Sequence, residues 1–129
     1  MPAPLVLTVD AETFAIARLG ADDAVPGWAT NSTVYSITKL GDELSIVCPD
    51  GAVPADVRSE RGWRCLSVIG PLDFGLTGIL ASLAAPLAEA EISIFAVSTY
   101  DTDALLVKQE QLSVAIETLE RAGHSVRAS

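Results

Sequence analysis

Apolar and polar positions divide the chain into short alternating runs with turn residues between them. Leu5-Val6-Leu7-Thr8-Val9 predicts a short strand, and Phe14 to Leu19 predicts a second strand or a helical turn. Gly20 to Asn31, with Pro26, Gly27 and Trp28, predicts a loop holding at most one helical turn. Val34 to Leu40 alternates as a strand, Gly41-Asp42 signals a tight turn, and Leu44 to Cys48 forms the return strand. Pro49 to Arg61 is polar and contains Pro54, which predicts a loop with no more than a short helix.

The second half is patterned more clearly. Arg64 to Ile69 predicts a strand stopped by Gly70-Pro71. Leu76, Ile79, Leu80, Leu83 and Leu87 recur at helical spacing, so a helix is expected from Gly75, with Asp73 as its candidate N-cap. Pro86 lacks an N–H and is expected to kink or restart that helix. Ile92 to Ser98 predicts a strand, Thr99 to Asp103 a polar turn, and Ala104 to Val107 the return strand. Gln109 to Ala122 predicts a helix with Leu112, Ala115, Ile116 and Leu119 on one face. Gly123 is its left-handed stop, and Glu117 and Arg121 form an i,i+4 pair. His124 to Val126 adds a last short strand.

The order β-α-β-β-α-β in this half predicts an α+β, ferredoxin-like fold, an antiparallel sheet with helices on one face. Ser32 to Cys48 corresponds in plan to Glu91 to Val107, which suggests a degenerate duplication. Two modules are expected, residues 1–62 and 63–129, joined in one continuous unit. The first has only the Pro26–Trp28 stretch in place of a helix.

Composition narrows the function. Half of the 129 residues are hydrophobic, aromatics make up 5%, and mean hydropathy is +0.39. The core must therefore be aliphatic, and apolar surface given to a second copy predicts a homodimer. No run approaches the ~20 apolar residues of a membrane span. The N-terminus has no basic segment of a signal peptide, so a cytoplasmic location is expected. A net charge of −9 argues against nucleic acid as a direct partner. Cys48 and Cys65 lie singly in apolar runs and read as small buried hydrophobes.

Catalysis finds little support. His124 is the only histidine and falls just past a helix stop. No phosphate-binding glycine loop or nucleophile elbow is present, and neither a metal site nor a cofactor is expected. Two segments invite a ligand instead. Gly75 and Gly78 leave backbone uncovered at a helix start, where free N–H groups favour an anion such as a carboxylate, or else allow close helix–sheet packing. Ser98-Thr99-Tyr100-Asp101-Thr102-Asp103 gathers carboxylates and hydroxyls suited to an ammonium or guanidinium group, or forms a self-bonded polar turn.

Gly70-Pro71-Leu72-Asp73-Phe74, Thr77-Gly78-Ile79-Leu80, Ile92 to Phe95 and Ser98 to Asp103 together resemble the bacterial ACT-domain family related to the CASTOR-type arginine sensors. Asp42 to Cys48 and Trp63-Arg64-Cys65 share that resemblance. It implies a regulatory, non-enzymatic protein that binds an amino acid between modules or subunits and acts on a regulatory partner. It also implies a site in which Gly75 and Gly78 lie near the ligand's carboxylate, with Asp73, Phe74, Thr77 and Ile79 as further ligand-binding residues. Asp103, with Thr99 and Tyr100, would face the amino group or side chain, and Asp101 and Thr102 are the remaining ligand-binding residues. The alternative is an ACT-like dimerisation or docking module with no ligand.

Overall fold

The structure is a computed structural model that describes residues 4–73 and 76–128. The chain divides into two compact units, residues 12–63 and residues 1–11 with 64–129. The first unit is thus a continuous stretch that interrupts the sequence of the second. Among the described residues, no helix is long and apolar enough to cross a membrane.

Strand β1 (Val6–Gly20) is continuous where the pattern predicted a strand and a separate segment. The polar stretch Asp10 to Thr13 stays extended between two apolar alternations. In the unit 12–63, Phe14 to Gly20 of β1 pairs antiparallel with β3 (Glu43–Pro49), which pairs antiparallel with β2 (Ser36–Leu40). The β2–β3 turn falls at Gly41, whose φ of 57° suits a residue without a side chain. A 3-10 turn, Gly27–Thr30, lies between β1 and β2. It buries Ala29 against Ala15, Ala17, Leu44, Ile46, Cys48 and Val53.

One guanidinium organises the loop after β3. Arg61 pairs with the Asp50 carboxylate at 3.0 Å and also donates to the Asp50, Val53 and Pro54 carbonyls, while the Gly62 N–H donates to the other Asp50 oxygen. A lysine has no planar fork with which to hold this set of acceptors.

The other unit is built on β4 (Ser59–Val68), whose residues from Arg64 onward belong to it. Helix α1 (Ile79–Glu89), strands β5 (Ile94–Ser98) and β6 (Asp103–Lys108), helix α2 (Leu112–Arg121) and strand β7 (Ser125–Ala128) follow. This is the βαββαβ order expected, with β5 and β6 antiparallel. The start of β1 enters the same unit. Val6 to Val9 lies parallel to β7, and β1 has β4 as its other neighbour.

Leu7, Leu66, Leu83, Leu87, Leu105, Val107, Ala115 and Leu119 form a fully buried aliphatic core between sheet and helices. Leu66 and Val68 alternate inward from β4. Leu83 and Leu87 are one turn apart on α1, as the helical spacing required. Truncating such residues typically costs about 2–5 kcal/mol, so this core is the main source of the unit's stability.

Two expectations for α1 are corrected. Asp73 is not its N-cap: the helix starts at Ile79 behind Gly78, which sits at φ 78° and makes no side-chain cap bond. A left-handed residue cannot continue a right-handed helix inward from Asp73, so the helix begins after it. Nor does Pro86 restart the helix, which runs through it to Glu89; a kink at Pro86 is the part of that expectation the helix bounds do not contradict. Proline removes the N–H that would serve the Ser82 carbonyl. His124 replaces it, with Nε2 3.2 Å from the Ser82 oxygen. His124 Nδ1 accepts the Leu5 N–H at 3.0 Å, which fixes the Nε2-protonated tautomer. The single histidine is therefore a buried tie among β1, α1 and the end of α2.

The expected Glu117–Arg121 pair forms at 3.6 Å on the exposed face of α2, and Gly123 adopts φ 101° after the helix ends. Cys48 and Cys65 are buried free thiols. Burial pushes both thiols above their usual range; the Asp50 carboxylate adds to this at Cys48, and the Ser67 hydroxyl partly opposes it at Cys65. Both should resist iodoacetamide at pH 8 in the native protein and react fully once it is unfolded in urea, as read by mass spectrometry. Rapid labelling of either thiol without unfolding would contradict this burial.

Candidate functional site

The candidate site lies within the unit of residues 1–11 and 64–129. Strand β4 ends at Val68, and the chain turns through Gly70 and Pro71 before reaching α1. Strand β5 ends at Ser98, and a four-residue turn returns it to β6. These two connections are laced together. The Thr102 hydroxyl donates to the Val68 carbonyl at 2.7 Å, and the Leu72 N–H donates to the Asp101 carbonyl at 2.7 Å.

The turn closes on itself through Thr99. Its N–H and hydroxyl both donate to the Thr102 carbonyl, at 2.8 and 3.0 Å, and its hydroxyl oxygen accepts the Thr102 N–H at 3.2 Å. Both threonine hydroxyls thus hold the turn in place. Gly70 is the point of closest approach. A Cβ there would stand 3.0 Å from the Asp101 carbonyl oxygen, 3.1 Å from the Leu72 nitrogen and 3.3 Å from the Thr102 Cβ.

Between the two connections lies an open cavity of about 330 Å³, within the size range of small-ligand sites. One wall is Leu72, Asp73, Leu76, Gly78, Ile79 and Leu80, and the other is Ser98 to Asp103. The structure therefore brings together eight of the predicted residues: Asp73, Gly78, Ile79, Thr99, Tyr100, Asp101, Thr102 and Asp103. Thr77 is exposed and does not line the cavity. Phe74 and Gly75 lie outside the described residues.

Leu72 and Leu76 were not singled out as site residues. Leu76, assigned by its spacing to the buried helix stripe, is instead 53% exposed at the cavity, and Tyr100 is 80% exposed beside it. The signal that could have placed Leu76 is the pair Gly75 and Gly78, which interrupts the helical pattern on both sides of it.

The electrostatics of the cavity are two-sided. The first intrahelical bond shown at the start of α1 runs from the Ser82 N–H to the Gly78 carbonyl, at 2.9 Å. The N–H groups of Ile79, Leu80 and Ala81 precede it in the first turn, where helices have no internal acceptor and the positive end of the dipole lies. The opposite wall carries Asp101 and Asp103, with Asp73 on the helix side, and among the described residues no basic side chain lines the cavity. One end thus suits a carboxylate and the other a cation. Among the described residues, no group of three His, Cys, Asp or Glu side chains is arranged to hold a metal.

The βαββαβ topology with its antiparallel sheet defines a ferredoxin-like fold, and residues 58–121 of the chain belong to the ACT-domain family. The ACT-domain profile matches residues 58–121, and a second profile, of an N-terminal domain, matches residues 12–56. A crystal structure of an Agobacterium tumefaciens protein superposes with a TM-score of 0.93 at 41% identity, covering 99% of this chain and 96% of that one. The human cytosolic arginine sensor for mTORC1 subunit 1 is 42% identical over 90% of this chain, which spans only 42% of that relative's length. The regulatory subunit of aspartate kinase from Thermus flavus shares the fold, with a TM-score of 0.63 at 14% identity, covering 94% of this chain and 99% of that one.

Proposed function

We propose that this protein is a non-enzymatic sensor that binds an amino acid, with a basic side chain favoured, in the cavity between the start of α1 and the 98–103 turn. The observation that carries this reading is the pairing of a helix N-terminus without a side-chain cap with a carboxylate-bearing turn across one cavity. The ligand's carboxylate would lie against the first-turn N–H groups of α1. Its ammonium group, or a guanidinium at the end of its side chain, would meet Asp101 and Asp103.

The human relative is named an arginine sensor, and the Thermus flavus neighbour is a regulatory subunit; both support a regulatory role. We take the two compact units as two ACT-type modules, the 12–63 unit being the degenerate one. A second copy of the chain would complete the site. A homodimer in the cytoplasm, coupled to a regulatory partner, completes the proposal. Binding would shift an association equilibrium only by its differential affinity for the two states.

A melting scan against the twenty amino acids at millimolar concentration tests this. A ligand at a hundred times its Kd adds about 2.7 kcal/mol, a rise in Tm of roughly 10 °C for a domain of this size. Arginine or lysine is expected to give the largest rise. Asp103→Ala is expected to weaken that binding about tenfold by removing a charged partner. Gly78→Leu is expected to abolish it, because a side chain at φ 78° would crowd the helix start. Unchanged affinity in both variants would place the ligand elsewhere, and no shift with any amino acid would favour a docking module.

A further inference from the structure

A second cavity in the same unit has opposite chemistry. It measures about 300 Å³ and is lined by Arg64 within β4, Val9 and Ala11 within β1, the end of β7 and Ile116 of α2. Arg64 and Arg127 line it, together with aliphatic side chains that include Val9, Ile116 and Val126, and among the described residues no acidic side chain does. In a chain with a net charge of −9, two guanidinium groups on one aliphatic cavity are a local reversal of sign.

Arg64 is only partly satisfied. One terminal nitrogen donates to the Asp10 carbonyl at 2.9 Å, while its Nε is buried and has no hydrogen-bond partner among the described residues. A buried guanidinium donor without an acceptor is unfavourable and calls for one. Guanidinium groups take carboxylates through paired parallel N–H bonds, which Nε and a terminal nitrogen can supply. The aliphatic lining limits the rest of the guest to a short hydrocarbon body.

We infer that this cavity is a separate binding site for a small organic monoanion, a carboxylate on a short branched aliphatic body, held by Arg64 and Arg127. The site does not depend on the amino-acid cavity described above. It favours a ligand with no ammonium group, because among the described residues the lining offers two guanidinium groups and no acidic side chain. Arg64 supplies the buried contact, and Arg127, on the last strand, supplies charge at the exposed side.

Titration of the ¹⁵N-labelled full chain with 3-methylbutanoate, followed by amide and arginine Nε–H resonances, tests the site. Saturable shifts are expected at Val9, Arg64, Ile116, Val126 and Arg127, with affinity reduced tenfold or more in Arg64→Gln and severalfold in Arg127→Gln. The neutral isostere 3-methylbutanamide should produce no saturable shift there. Arg127 is exposed, so its variant keeps the test available if Arg64→Gln fails to fold. Absence of saturable shifts at these residues, or equal binding of acid and amide, would overturn the assignment. Unaltered affinity in folded Arg127→Gln would remove that residue from it.

Discussion

His124→Phe is expected to destabilise the protein by about 3 kcal/mol, seen as a lower midpoint of urea unfolding without a change of slope. The substitution preserves bulk but removes both ring nitrogens. It leaves the Leu5 N–H and the Ser82 carbonyl without the partners they now have at 3.0 and 3.2 Å. Each buried polar group left unsatisfied costs about 1–3 kcal/mol. Two further variants separate this cause from simple loss of packing. His124→Gln offers both an acceptor and a donor and should recover part of the loss. Pro86→Ala, which returns an N–H to α1, should be mildly favourable in the His124→Phe background because it serves the abandoned Ser82 carbonyl. If His124→Phe proved neutral, the histidine would not be holding these elements together.

Gly70→Val should weaken amino-acid binding more than tenfold while the protein remains folded, as measured by titration calorimetry. The new Cβ would enter a space already limited to 3.0 Å by the Asp101 carbonyl and 3.1 Å by the Leu72 nitrogen. Both atoms belong to backbone and cannot swing aside as a flexible side-chain tip would. They are also the partners of the hydrogen bond that ties the two walls of the cavity together. Relief must therefore come from separating the walls, at a stability cost of about 1–3 kcal/mol typical of overpacking. Gly27→Ala is the matching control: no atom comes within 4 Å of a Cβ there, so neither stability nor binding should change appreciably. Equal affinities for Gly70→Val and the parent would mean that the wall spacing does not govern the ligand.

The strands and helices of the second half were legible because each obeys a single period. Leu83 and Leu87 report the buried side of α1, and Leu66 and Val68 report the inward side of β4. Both walls of the cavity were visible as the glycine-rich helix start and the acidic turn. What the pattern could not show was the exact helix start. Leu76 satisfies the helical spacing, yet it lies before Gly78, and whether a helix crosses a glycine depends on the backbone angle adopted there. The role of His124 was illegible for a different reason. Its partners are the backbone groups of Leu5 and Ser82, 119 and 42 residues away, and backbone groups leave no mark in a sequence. The pairing of Val6 to Val9 with Ser125 to Ala128 is equally remote, since parallel neighbours separated by most of the chain share no local turn signal.

That last pairing has a consequence for how the molecule is made. Strand β1 enters its sheet between β4 and β7, and β7 is formed by residues 125–128. During synthesis, residues 6–9 have no β7 to pair with until residues 125–128 have been produced. The continuous stretch 12–63 is translated first and can collapse locally on its own aliphatic cluster. The interrupted unit must wait, carrying an apolar and incompletely paired strand on the nascent chain. Its assembly is a late, long-range closure, the slow and aggregation-exposed step of folding. A nascent chain stalled short of Ser125 would therefore present Leu5, Leu7 and Val9 to whatever chaperone or neighbouring chain lies nearby.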